Sequence, residues 1–201
     1  MAAGLAVALV AGTTFRVCAQ GLPELPEVEQ VPLSMSVSYY DIDGRRYRDA
    51  LEAMEFAGPI GYEAETRTFF SYYFETAQSA DGCGLRYLEL PLTVEILYPN
   101  WTGYDRARRS EREAWDNRMH VLTVHENVHA VIAFLGTVET YNDVVQIGMQ
   151  PDCDELETRV REMTERANNR LQTWQREYDA VTEHGVEQHG FDLQTFMSER
   201  L

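Results

Sequence analysis

Hydrophobic and polar positions along this chain change period part-way, and the change separates a strand-rich half from a helical half. Residues 34–40 alternate Met35, Val37 and Tyr39 with serines, the two-residue period of a half-buried strand. Asp41-Ile42-Asp43-Gly44 turns the chain, and residues 46–56 then bring Tyr47, Leu51 and Met54 onto one face of a short helix stopped by Gly58-Pro59. Two further strand regions follow. Residues 64–75 are rich in Thr, Phe and Tyr, and in residues 85–98 Leu88, Leu90, Leu92, Val94, Ile96 and Tyr98 alternate with more polar positions. Residues 79–84 join them as a hairpin, and Pro91 predicts that the second run lies at a sheet edge or carries a bulge.

From residue 105 the period lengthens. Residues 105–135 contain no proline, and Val121, Val124, Val128, Val131 and Leu135 recur at steps of three and four, which predicts a helix with an apolar stripe. Residues 148–151 break the pattern, and residues 154–181 form a second helix whose stripe is Leu156, Val160, Met163, Ala167, Leu171 and Trp174. The pattern predicts an α+β fold: a small antiparallel sheet with a short helix, followed by two long helices, in a single domain spanning residues 33–201.

The first long helix carries His125-Glu126-Asn127-Val128-His129. Residues four apart share a helix face, so two imidazoles can reach one metal ion while Glu126 sits beside them to act on a water. This is the H-E-x-x-H arrangement of zinc hydrolases, here expected beside the core-facing stripe. His120 falls on the opposite side of the helix and His189 near the C-terminal tail, so both are expected in solvent.

The first residues point to the compartment. Residues 2–11 are almost wholly apolar, and Val17-Cys18-Ala19 before Gln20 suits a signal peptidase, so residues 1–19 read as a signal peptide cleaved after Ala19. The apolar run is about 10 residues, against the roughly 20 that a bilayer needs. Cleavage removes Cys18 and leaves Cys83 and Cys153, which in a periplasmic or secreted protein are expected to pair. Residues 20–32, with their prolines and glutamates, read as an extended lead-in. The chain has no lysine; 17 arginines face 33 acids for a net charge of −16, which becomes −17 without Arg16. That charge disfavours nucleic acid and anionic membranes as partners. Arg106, Arg108 and Arg109 are answered by Glu111, Glu113 and Asp116, as in a solvated helix start.

Tyr40-Asp41-Ile42-Asp43-Gly44 with Gly58-Pro59, the His125-Glu126-x-x-His129 helix, Cys153, and Tyr178-Asp179-x-x-Thr182-x-His184-Gly185 resemble the bacterial domain of unknown function 922, whose members are described as secreted zinc-dependent proteases. The resemblance covers nearly the whole chain after the signal and implies a zincin-like site. It also implies His184 as a third zinc ligand beside His125 and His129, neutral imidazole being suited to zinc. Helix geometry sets an alternative beside it: in a straight hairpin the return helix draws level with the site near residue 172, leaving His184 about 12 residues, or roughly 18 Å, beyond. Either the chain loops back, or Asp179, Glu165 or Glu177 is the ligand. Tyr178 is a candidate oxyanion donor or a packing residue, and Asp179 a candidate to orient a histidine.

The expected function is that of an exported zinc metallopeptidase, with Glu126 as general base toward a zinc-activated water and a peptide or protein as substrate. By analogy with zincins, the edge-like strand at residues 85–98 would receive substrate by strand addition. The competing expectation is a non-catalytic exported binding or assembly protein with a structural or lost metal site.

Overall fold

A computed structural model describes residues 30–59 and 62–201. The expected signal peptide, residues 1–19, and most of the expected lead-in, residues 20–32, lie outside the described residues. At the end of the lead-in, Val31 is buried against Leu88, Leu90 and Val138.

Five strands and four α-helices follow in order: β1 (Leu33–Ile42), α1 (Tyr47–Ala57), β2 (Glu65–Phe70), β3 (Tyr73–Ser79), β4 (Gly82–Glu89), β5 (Leu92–Trp101), α2 (Arg109–Val145), α3 (Cys153–Thr182) and α4 (Leu193–Ser198). The main sheet has the order β1-β5-β2. β1 runs parallel to β5, with Val37 opposite Ile96, and β2 runs antiparallel to it, with Thr68 opposite Val94. The fold is α+β as expected, but the sheet is mixed rather than antiparallel. Alternation along a strand does not encode its direction. β1 reaches β5 only through α1 and the β2–β4 segment, a connection long enough for parallel pairing.

The two strand regions at 64–75 and 85–98 form one long hairpin, bent in the middle. Phe70 faces Leu92 and Tyr73 faces Glu89, so the register carries across the break that assigns β3–β4 to a second, two-stranded sheet. Pro91 lies in that break, where it has no N–H to contribute, and its carbonyl accepts from the Ser71 N–H at 3.1 Å. Beyond the break β5 has a strand on each side. The expected edge therefore holds only for β4, which has β3 alone as its strand neighbour and whose pairing shifts register opposite Glu75 and Thr76; for β5 it is overturned, and with it strand addition of substrate to that half, because the proline interrupts the run instead of displacing it outward.

α2 is long and apolar enough to cross a bilayer by length and composition, and its contacts account for that apolarity. Leu122 and Ala133 pack on β5, Ile132 packs on Leu171, Trp174 and Tyr178 of α3, and Val138, Tyr141 and Val144 join Leu88 and Leu90. A helix covered on two sides has no single apolar stripe. The expected stripe is accordingly displaced: Val121, Val124, Val128 and Leu135 are only partly buried and Val131 is exposed, whereas His125, Glu126 and His129 face the interior. α3 is amphipathic and behaves as predicted, burying Leu156, Val160, Ala167, Leu171 and Trp174. The helices approach closely at Gly136, where a Cβ would lie 2.2 Å from Leu171 Cδ2.

The far end of the helix pair is tied to the hairpin. Cys83 and Cys153 form the expected disulfide, and Cys83 and Gln150 exchange two backbone hydrogen bonds of 2.8 Å. Gly82 has φ +123°, and a Cβ there would lie 2.3 Å from the Gln150 carbonyl oxygen, so this junction requires glycine.

Candidate metal centre

The connection at residues 146–152 brings α3 back antiparallel to α2, with Gln175 level with His129 and Asp179 level with His125. This is more than a turn later than a straight hairpin predicts. Asp179 Oδ1 lies 2.9 Å from His129 Nε2 and 3.2 Å from His125 Nε2, and the two Nε2 atoms are 3.2 Å apart.

The ring orientations are held from behind. Gln175 donates its Nε2 to the His129 carbonyl at 3.0 Å, which turns its Oε1 toward His129 Nδ1 at 2.5 Å. Gln188 Oε1 accepts from the Tyr178 hydroxyl at 2.6 Å and lies 3.2 Å from His125 Nδ1. With an amide oxygen behind each ring, Nδ1 can keep a proton, so that each Nε2, which faces Asp179, is free to give a lone pair to a cation bound between them. Two lone pairs and a carboxylate converging in a buried place call for a cation. Donors on one tetrahedral ion at about 2.0–2.1 Å stand roughly 3.3 Å apart, close to the separations found here, so His125, His129 and Asp179 fit a bound metal.

Charge and burial work against each other at each group. Burial pushes the Glu126 carboxyl up, opposed by Thr66 and the two histidines. Burial by itself would lower His129, but its hydrogen bond to Asp179 and that group's charge raise it. Burial would raise Asp179, but the hydrogen bonds and charges of both histidines hold it well below the usual carboxylate range. Tyr178 is fully buried and burial raises it. Its ring stacks on His125 at 4.8 Å and meets His129 edge-on at 4.7 Å. It braces the imidazoles from behind and does not line the cleft.

His184 reaches the centre from another direction. α3 ends at Thr182, and Glu183, His184 and Gly185 have φ of 47°, 53° and 93°. Two consecutive non-glycine residues in the left-handed region cost on the order of 1–3 kcal/mol each. The turn they make lays Gly185 against the His125 ring, where a Cβ would lie 3.3 Å from Cγ, and delivers Gln188 to Nδ1. His184 Nδ1 is 3.6 Å from Asp179 Oδ1, and its ring, 55% exposed, lies 5.2 Å from that of Tyr62. It thus stands at the rim, touching the donor group through Asp179.

The centre opens into a cavity of about 490 Å³ walled by Glu126, Arg118, Glu183 and the first four residues of β2, Glu65 to Thr68. Thr66 donates to the Glu126 carbonyl at 3.2 Å, and Arg118 Nε donates to Glu63 at 2.6 Å. The remaining candidates lie elsewhere. His120 and His189 are exposed, as expected; Glu165 and Glu177 face outward from α3, and Glu177 pairs with Arg200 at 2.9 Å.

Residues 37–185 match the family described as Bacterial protein of unknown function (DUF922). The chain belongs to this family. The matched span runs from within β1 to Gly185 and contains every residue of the centre except Gln188. No curated protein and no solved structure matches the chain.

Gln175 and Gln188 escaped sequence reasoning, as did the part played by Thr66. Gln175 was within reach of it: four residues before Asp179, it must sit one turn along the same face, as His129 does relative to His125. Gln188 had no such signal, because a left-handed turn separates it from α3.

Proposed function

We propose that this protein is an exported zinc-dependent peptidase, with His125, His129 and Asp179 as the metal-holding residues and Glu126 as the general base. The observation that carries the reading is the meeting of three donors at tetrahedral spacing with a buried carboxylate in one open cleft. Imidazole nitrogens and a carboxylate are a zinc donor set of the catalytic kind, three protein ligands with a position left free. When bound, zinc supplies Lewis-acid activation of water and of the scissile carbonyl.

The chain's own groups do the rest. Glu126, raised by burial, is suited to take a proton from the attacking water and hand it to the leaving amine. Asp179 stays anionic and offsets the metal's charge, while Gln175 and Gln188 keep both Nε2 atoms aimed inward. β2 has no further strand beside it among the described residues, and its residues line the cleft. An extended peptide would pair with that edge. Export through residues 1–19 is part of the proposal, supported by the Cys83–Cys153 disulfide, which suits an oxidising compartment.

Glu126→Gln tests the reading. Zinc content and melting temperature should stay near those of the unaltered protein, while cleavage of a mixed peptide library falls by about 10² to 10⁴. An unaltered protein that binds zinc and cleaves nothing, or a variant equally active, would favour a binding or assembly protein instead.

A further inference from the structure

The other edge of the main sheet is β1, and its surface is unlike the rest of the molecule. Residues 33–40 carry no charge in a chain of net charge −16. Leu33, Met35, Val37 and Tyr39 are in register with Leu92, Val94, Ile96 and Tyr98 of β5 and project from the same face. The β5 row is buried under α2. The β1 row lies beyond that cover, with exposures of 47 to 64%. The core face of the sheet therefore runs one strand past its roof, beside a line of backbone groups with no further strand to pair with among the described residues.

Edges of this length normally carry charge or proline that blocks pairing. β2, the opposite edge, does so with Glu65 and Arg67, which pair with each other at 2.8 Å. Residues 33–40 of β1 have no such guard, the strand's one charge being Asp41 near its end, which accepts from Asn100 Nδ2 at 2.7 Å, and their pattern is self-complementary. With Ser36 opposite its own symmetry mate in an antiparallel pair, Leu33 meets Tyr39, Met35 meets Val37 and Ser34 meets Ser38. A slip of one residue would set the apolar row against serines, because neighbouring residues point to opposite faces.

We propose that a second copy of this chain occupies β1, pairing antiparallel about a two-fold axis through Ser36. The two three-stranded sheets become one of six strands, and the two exposed apolar rows merge into one floor between the α2 helices. Each partner offers the same patch to the other, as a two-fold interface requires. Acidic copies repel one another over most of their surface, and the uncharged edge is where they can approach. The cleft at β2 lies on the far side and stays open in both copies. The proposal does not depend on what the cleft does.

Sedimentation of the intact, disulfide-bonded protein at about 100 µM should give twice the mass of one chain. Val37→Lys and, separately, Ser36→Lys should reduce it to the mass of one chain with an unchanged far-ultraviolet circular dichroism spectrum. Both side chains lie outside their own core, and the second substitution sets two ammonium groups face to face on the axis. Phe56→Lys, which removes the most exposed large apolar side chain among the described residues, on α1, should leave the dimer intact. A single-chain mass for the unaltered protein overturns the proposal, as does a dimer that survives both lysines. A single-chain protein that melts lower with Val37→Lys would mean that the chain's own N-terminal residues cover β1, and overturns it too.

Discussion

The two ends of the α2–α3 pair are built on opposite principles. At the end near the connection, Val138, Tyr141 and Val144 meet Leu156, Val160, Leu88 and Leu90, and the Cys83–Cys153 disulfide closes a loop across 70 residues. Every group there stabilises the fold whatever is bound. At the other end His125, Glu126, His129 and Asp179 bring nitrogens and carboxylates into a largely buried place. Burying such groups is costly unless they are paired or coordinated. One pair of helices is anchored by apolar packing at one end so that the other can hold a polar constellation, and Gly136 lets them approach closely between the two.

The largest test of this contrast is at the polar end. Asp179→Ala should abolish stoichiometric zinc binding, because it removes one of three donors, whereas His184→Ala should retain zinc. Metal analysis after dialysis against micromolar zinc decides between them, and the reverse outcome would make His184 the third ligand. The loss for Asp179→Ala should exceed the 10- to 100-fold that removal of an outer hydrogen-bond partner costs.

The apolar end should respond in stability alone. Replacing Cys83 and Cys153 together by alanine removes a constraint worth on the order of 4 kcal/mol, which for a domain of this size lowers the melting temperature by roughly 8–16 °C. Zinc stoichiometry should not change. A variant that lost zinc while still folded would show that the two ends are not independent.

The smallest effect belongs to the supporting glutamine. Gln175→Ala leaves His129 Nδ1 without its acceptor, so zinc affinity should fall about 10- to 100-fold with stoichiometry preserved. Competition with a chelator of known affinity measures it. An unchanged affinity would mean that packing against Tyr178 suffices to orient the ring.

Local pattern accounts for much of what was legible in the chain: the strand regions, α1, both long helices, and His125, Glu126 and His129 as neighbours; the pairing of Cys83 with Cys153 was legible too. The elements and the neighbours follow from a period of two or 3.6 residues, or from spacing along one helix, which the backbone obeys wherever it lies; the pairing follows from the two cysteines expected to remain in an exported chain. Only the tertiary structure decided that β5 is central and β1 parallel to it, that the histidine face of α2 points inward, and that Asp179 meets both imidazoles while His184 waits at the rim. Where apolar residues lie on more than one side of a helix, the face that is buried is chosen by what packs against it. The level at which α3 passes α2 depends on a connection drawn toward Cys83, and the position of His184 on a left-handed turn. None of these leaves a periodic trace, because each is set by contacts between residues far apart in the chain.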